Sequence, residues 1–221
     1  EKMSNHFYVQ HADMMAHGLS QLGTSKEDYS PSGLDTLEGL AGAIIGQGIY
    51  NTSRLEKDTQ LIYKGADHKK PFIRRCSALA IGMAYLGEGG ASSIELLQRL
   101  AKDDDLDVRR TAIISAGLAY LGKGNAEVQQ LLDDELEDPS WKIRSAAGLG
   151  YSFAFLGNPN HFDKLVTLLE QEESPYVKVC SCWYVSMSHA QKEEVPRFVH
   201  LIENGDSFFR EVNTTDEYNI A

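Results

Sequence analysis

Cysteine is scarce in this 221-residue chain: Cys76, Cys180 and Cys182 are the three present. An odd, sparse set of this kind excludes a disulfide framework, and it reads as reduced thiols in a reducing compartment. Basic charge is the minority sign, with 21 Lys and Arg against 32 Asp and Glu and a formal net charge of −11. That balance works against phosphate backbones and anionic lipid headgroups, so nucleic acid is not an expected partner. No apolar run approaches the roughly 18 residues that a membrane span needs, and the polar opening EKMSNHFYVQ does not read as a signal peptide. The expectation is a soluble intracellular protein that does not enter a membrane. No segment sustains the alternation of a strand, so almost entirely α structure is expected.

What is present is a repeat. Three segments superpose without a gap: IRRCSALAIGMAYLGEG from Ile73, VRRTAIISAGLAYLGKG from Val108 and IRSAAGLGYSFAFLGNP from Ile143. Their period is 35 residues. A fourth copy begins near Val177 in PYVKVCSCWYVSMSHA without the closing glycine. Earlier, diverged copies are LEGLAGAIIGQG, ending at Gly46 to Gly48, and MAHGLSQLG, ending at Gly23. The spacing between Gly23 and Gly46 implies a reduced second helix in the first unit, with TSKEDYSPSG as a loop.

Each unit reads as helix, tight turn, helix. Small residues on the first helix (Ala78, Ala80, Gly82 and Ala84, then Ala112, Ala116, Gly117 and Ala119) allow helix backbones to approach closely. Leu86-Gly87, Leu121-Gly122 and Leu156-Gly157 end that helix where a left-handed cap is needed, and Gly46 is assigned the same turn role. Ser92, Asn125 and Asn160 stand where an N-cap would start the second helix. That helix is amphipathic, with Leu96, Leu97 and Leu100, then Val128, Leu131 and Leu132, then Leu165, Val166 and Leu169 on one side. Pro71, Pro139 and Pro175 stand just ahead of three first helices, where a missing N–H costs nothing. A helix pair cannot bury its apolar face alone, whereas stacked pairs share a continuous core. The expected fold is therefore an all-α, open-arc α-solenoid of stacked helix-turn-helix repeats about 35 residues long. The whole chain, 1–221, is read as one domain, with clear repeats at 73–107, 108–142 and 143–176 and diverged ones at 12–34, 35–72 and 177–213.

The search for chemistry returns little. His6, His11 and His17 are five and six residues apart, which does not align ligands on one helix face, and surface positions are expected for them. Cys180 and Cys182, with His189, form a Cys-x-Cys that points to different faces of a helix, so they read as small apolar fillers. GAIIGQG and GEGG have no preceding strand and no following Gly-Lys-Ser/Thr, which separates them from phosphate loops. The acidic groups at Asp103–Asp105 and Asp133–Glu137 lack the Gly-centred spacing of a calcium loop and read as solvated connectors. No catalytic, cofactor-binding or metal-binding residue is assigned, and no cofactor is expected. Arg74, Arg109 and Arg144 recur once per unit and would form a ladder along one edge. Such a ladder can hold acidic peptides or brace neighbours; with Asp105, Asp107 and Asp138 nearby, bracing through ion pairs is the expected role. Tyr85, Tyr120, Phe155 and Trp183 fall close to the same period and read as core.

The unit V-R-R-x-A-x-x-x-x-G-L-A-Y-L-G-x-G-N, followed by a leucine-bearing helix, resembles the proteasome/cyclosome repeat, a HEAT-like unit with a first helix rich in glycine and alanine. That family comprises the two large non-ATPase subunits of the proteasome regulatory particle and the largest subunit of the anaphase-promoting complex, and the larger proteasomal base subunit is the nearer match. The resemblance covers roughly residues 35 to 190 and is most specific over 73–157. It implies a non-catalytic protein-binding and assembly scaffold in ubiquitin-dependent protein degradation, cytoplasmic and nuclear, with regulatory-particle subunits as partners. Family members carry a longer run of units closed into a ring, so this chain is expected to be a fragment of such a subunit or a short free-standing member. Helical-repeat enzymes that bind iron carry repeated His-Glu pairs, and this sequence contains no His-Glu dipeptide. The competing expectation is a free-standing HEAT-like protein that binds a small ligand or metal as an enzyme or enzyme-maturation factor.

Overall fold

A computed structural model describes residues 7–20, 31, 34–52, 54–161, 163–166, 172, 174 and 177. Among these residues the fold is all-α, with no strand. The helices are α1 (Phe7–Ser20), α2 (Leu37–Asn51), α3 (Gln60–Ala66), α4 (Pro71–Ala84), α5 (Ala91–Leu100), α6 (Leu106–Ala119), α7 (Ala126–Leu136) and α8 (Trp141–Ala154), followed by a 3₁₀ turn at Pro159–His161. None of them is long and apolar enough to cross a membrane.

Packing follows chain order in two ranks. The long helices α1, α2, α4, α6 and α8 lie side by side, each chiefly against the next. The shorter α3, α5 and α7 lean mainly on the long helix that follows them, and α5 and α7 barely meet. The apolar side of each short helix enters the same core: Ile62 from α3, Leu97 and Leu100 from α5, and Val128, Leu132 and Leu136 from α7 are all buried. Their polar sides stay wet, which is the amphipathic pattern that directs a helix onto its neighbour.

Local chemistry sets where the helices begin. The Asp105 carboxylate accepts from the backbone N–H groups of Asp107 and Val108 at 3.0 and 3.1 Å and opens α6. Asn125 accepts from Val128 N–H at 3.0 Å and opens α7, while Thr36 accepts from Gly39 N–H at 3.0 Å and opens α2. Pro71 is the first residue of α4. The long helices α4, α6 and α8 end on an aromatic residue, Tyr85, Tyr120 and Phe155. Two residues later Gly87, Gly122 and Gly157 take φ of 67°, 67° and 76°, the left-handed conformation that a side chain would strain.

Three sequence expectations are corrected. Gly46 is not a turn glycine: it lies buried inside α2, which continues to Asn51. Its backbone is what Gly18 of α1 rests on, so close that a Cβ added at Gly18 would lie 2.5 Å from the Gly46 Cα. Ser92 is not the N-cap of α5; Gly90, at φ 143°, occupies that place. Only glycine adopts that backbone readily, and the turn therefore closes two residues earlier than a side-chain cap would place it. Asn160 lies within the 3₁₀ turn rather than at the start of a helix. Gly23, Leu169, Pro175, Trp183 and the copy at 177–213, apart from the buried Val177, lie outside the described residues.

The long helices touch backbone to backbone. A Cβ at Gly48 would stand 2.6 Å from the Ala80 carbonyl oxygen, one at Gly82 2.7 Å from Ser115 Cβ, and one at Gly117 2.7 Å from the Gly150 Cα. Backbone cannot move aside as a side chain can. Gly117→Ala is therefore expected to cost about 3 kcal/mol by overpacking. Gly150→Ala meets chiefly the flexible end of Leu132 and should cost less. Urea unfolding of the two variants checks this order; equal midpoints would contradict it.

Candidate functional site

The recurring arginines are the most concentrated charge chemistry in the fold. Arg74, in the first turn of α4, meets Asp103 with two parallel hydrogen bonds, Nε to Oδ2 at 2.6 Å and Nη2 to Oδ1 at 2.7 Å. Its remaining Nη1 donates to the carbonyls of His68 and Lys69. Arg144, one helix pair on from Arg109, repeats this with Glu172 at 2.8 and 2.9 Å and with the carbonyls of Asp138 and Pro139 at 2.9 and 3.0 Å. Arg109 reaches Asp138 at 2.5 Å, Glu135 at 3.4 Å and the Ala101 carbonyl at 3.1 Å.

The acceptors are themselves anchored. Asp103 accepts from Asp105 N–H, Asp138 from Ser140 N–H and Glu172 from Ser174 N–H, at 2.9, 2.7 and 2.9 Å. Each carboxylate thus holds the connector downstream of its helix pair while the arginine holds the start of that pair. Planar guanidinium is required, because Lys could not make the paired bonds and the carbonyl contacts together. The three arginine side chains are 18 to 26% exposed and Asp103, Asp138 and Glu172 7 to 15%, so little charge remains to be offered to solvent. Bracing is what this geometry does chemically.

A second set of contacts joins each turn to the next long helix. Gly87 N–H donates to the Leu118 carbonyl at 3.2 Å and Gly89 N–H to the Ala119 carbonyl at 2.8 Å. Thirty-five residues later Gly122 N–H donates to Phe153 at 2.9 Å and Gly124 N–H to Ala154 at 2.8 Å. The ring of Tyr120 covers Gly89, and its hydroxyl exchanges hydrogen bonds with the Gly90 N–H and carbonyl; the ring of Phe155 covers Gly124. Sequence reading placed these aromatics in the core. It missed their pairing with Gly89 and Gly124, although Gly-x-Gly stands at Gly87–Gly89 after Tyr85 and at Gly122–Gly124 after Tyr120, one unit before each covering ring.

Other polar groups within the fold also have structural duties. Gln47 Oε1 accepts from Ile62 N–H at 3.1 Å and so starts α3, while Asn51 clasps the Asp58 backbone by both its amide groups. Lys57, nearly buried, donates to the Asn51 and Arg54 carbonyls and pairs with Glu88 at 3.0 Å. Burial pushes the Cys76 thiol up to about 11, with Arg75 pulling the other way. At neutral pH it is therefore almost wholly protonated and a poor nucleophile. Of the histidines, His17 lies in the last turn of α1; His6 is outside the described residues, as are Cys180, Cys182 and His189. Among the described residues, no three or more His, Cys, Asp or Glu side chains converge to hold a metal ion. Comparison of the chain with models of known protein families, and with curated proteins, gave no match.

The arginine braces have a pH signature. Asp103 is held below its ordinary value, first by the Arg74 hydrogen bonds and against the effect of burial. A carboxyl depressed in the folded state adds stability above its unfolded pKa of about 3.9 and gives it up as pH falls through the folded value. Arg74→Ala should cost about 3 kcal/mol near neutrality, because it strands a half-buried carboxylate. The gap between wild type and variant should narrow as pH is lowered from about 6 to about 3. Denaturant unfolding across that range measures it, and a gap independent of pH would mean that the pair contributes nothing.

Proposed function

We propose that this chain is a non-catalytic scaffold of α-solenoid type, built from proteasome/cyclosome-like repeats. On this reading it belongs with, or is a portion of, a large non-ATPase subunit of the proteasome regulatory particle. It would act in ubiquitin-dependent protein degradation in the cytoplasm and nucleus, holding other protein subunits. One observation carries the reading: brace and stitch recur at 35-residue spacing, the brace closing each helix pair onto its outgoing connector and the stitch tying that pair to the next. Such links accumulate stiffness along the chain and specify no chemical step. A stiff row of helices fixes the relative positions of whatever docks along it, which is the work of an assembly subunit. The motif V-R-R-x-A through G-x-G-N supplies the proteasomal assignment by resemblance, since helical rows serve many functions.

Affinity isolation of the tagged full-length gene product from its native cells, followed by mass spectrometry, tests both layers. The expected result is co-recovery of proteasomal ATPases and other regulatory-particle subunits in near-stoichiometric amounts. Recovery of the protein alone, or turnover of a substrate by the purified protein that a single point variant abolishes without unfolding it, would overturn the proposal.

A further inference from the structure

One surface feature is absorbed by neither brace nor stitch. Ile45 of α2, Phe72, Arg75, Cys76 and Leu79 of α4 and Thr111 of α6 line an open groove of about 200 Å³ across three of the long helices. Its floor is apolar: Ile45 and Cys76 are buried, and Leu79 is half-buried. Phe72, on the rim, is 37% exposed, and the Arg75 guanidinium lies 5.6 Å over its ring. Ile114 and Leu149, at 35-residue steps from Leu79, are also only partly buried, so the equivalent places of α6 and α8 are apolar too.

Charge decides what this groove can take. The chain as a whole carries −11, yet the lining holds a cation and no carboxylate. Unlike Arg74 beside it, Arg75 is loosely engaged. Its side chain is 44% exposed, and its ion pair is a 3.8 Å approach to Asp107, a carboxylate that also serves Arg110 at 3.4 Å. Arg110 in turn has a buried Nε with no hydrogen-bond partner. Two guanidinium groups thus share one exposed carboxylate, and one of the two, Arg75, lines the apolar groove: in this cluster of three, cation outnumbers anion on an acidic protein. A ligand carboxylate arriving there could bond Arg75 with the paired geometry that Asp107 does not provide.

We propose that this groove docks a peptide segment of a partner protein that places one large apolar side chain next to an Asp or Glu. The apolar side chain fills the space between Phe72, Leu79 and Ile45, and the acid pairs with Arg75. The proposal rests on the scaffold reading and gives it a contact site and a ligand chemistry. The acidic surface elsewhere repels such a segment, so the groove also fixes where along the helices it lands.

The test uses the full chain and a phage-displayed library of random 12-residue peptides as the probe. The expected result is enrichment of an apolar–acidic pair, with binding of the selected peptide lowered at least tenfold by Arg75→Glu and by Leu79→Ser. Arg99→Glu, on α5 and exposed in its pair with Asp67 after α3, should leave it unchanged. Both groove variants should keep the wild-type helical circular dichroism; if Leu79→Ser loses it, Arg75→Glu alone decides. No enrichment, enrichment without an acidic residue, binding indifferent to Arg75→Glu, or preference for a single-stranded oligonucleotide over the peptide would overturn the proposal. Recovery of proteasomal partners that Arg75→Glu does not disturb would remove the groove while leaving the scaffold reading intact.

Discussion

The closeness of the long helices is the constraint from which the other contacts follow. Where Gly48, Gly82 and Gly117 lack a Cβ, the facing backbone of the next helix comes into direct contact. Only at that separation can a turn N–H reach a carbonyl of the neighbouring helix, as Gly87 does with Leu118 and Gly122 with Phe153. Those carbonyls belong to the last turn of a helix, where intrahelical donors run out; Leu118 and Phe153 also accept from Leu121 and Leu156 N–H, whereas Ala119 and Ala154 take theirs from Gly89 and Gly124 across the helix contact. A buried carbonyl without a donor is costly, so the close approach and the turn conformation support one another. The left-handed glycine aims its own N–H, and the following glycine leaves room for an aromatic ring to cover the bond.

The arginine braces act at the opposite ends of the same helices. Tying a helix start to the connector leaving its pair fixes the short helix between them against the long helix that follows. A single exposed ion pair would do little for this, because its Coulomb gain is offset by the side-chain order it demands. Here the pairs are partly buried, bidentate at Arg74 and Arg144, and supplemented by backbone carbonyls, so their geometry is over-determined. Glu135 shows the cost of this arrangement. Burial raises its carboxyl pKa while Arg109 opposes the rise, so the central brace carries a carboxylate less well compensated than Asp103.

Much of this was legible because a repeat exposes what each position must supply. The left-handed glycines at 87, 122 and 157 and the cap at Asn125 follow from local chemistry, which sequence records directly. Gly46 was misassigned because a glycine that ends a helix and one that lies inside a helix packed against a neighbour look alike in local sequence, and the α1 backbone that meets α2 at Gly46 is not revealed there. Ser92 failed for a similar reason, since Gly90 reaches a backbone that made a side-chain cap unnecessary. Asp103 and Glu172 were overlooked as brace partners: they lie 29 and 28 residues beyond their arginines, and the acid changes from Asp to Glu along the row. The groove went unseen as well, because Phe72, Arg75 and Leu79 acquire a shared role only once Ile45 and Thr111 arrive from neighbouring helices.

The earliest link shows that the geometry, rather than any one residue, is what the fold requires. No arginine stands 35 residues before Arg74; Gly39 does. Thirty-five residues before Asp103 stands His68, whose Nδ1 accepts from Lys70 N–H at 3.1 Å, the same turn contact made by an imidazole nitrogen in place of a carboxylate oxygen. Likewise Thr52 precedes Gly87 by 35 residues, and its hydroxyl donates to the Met83 carbonyl at 3.0 Å where the later turns use a backbone N–H. Without a guanidinium to span this pair, Gln47, Asn51 and Lys57 take over, holding the connector from inside through backbone groups. Lys57 also reaches Glu88 of the next turn, a charge contact that runs in the same direction as the later braces. That pair has a carboxylate side chain 45% exposed, whereas Asp103 is 10% exposed. A wet single-point pair constrains less than a bidentate, half-buried one. The joint between the 35–72 region and α4 consequently leans more on neutral hydrogen bonds than the two joints that follow it, and it is also one wall of the groove at Ile45 and Phe72.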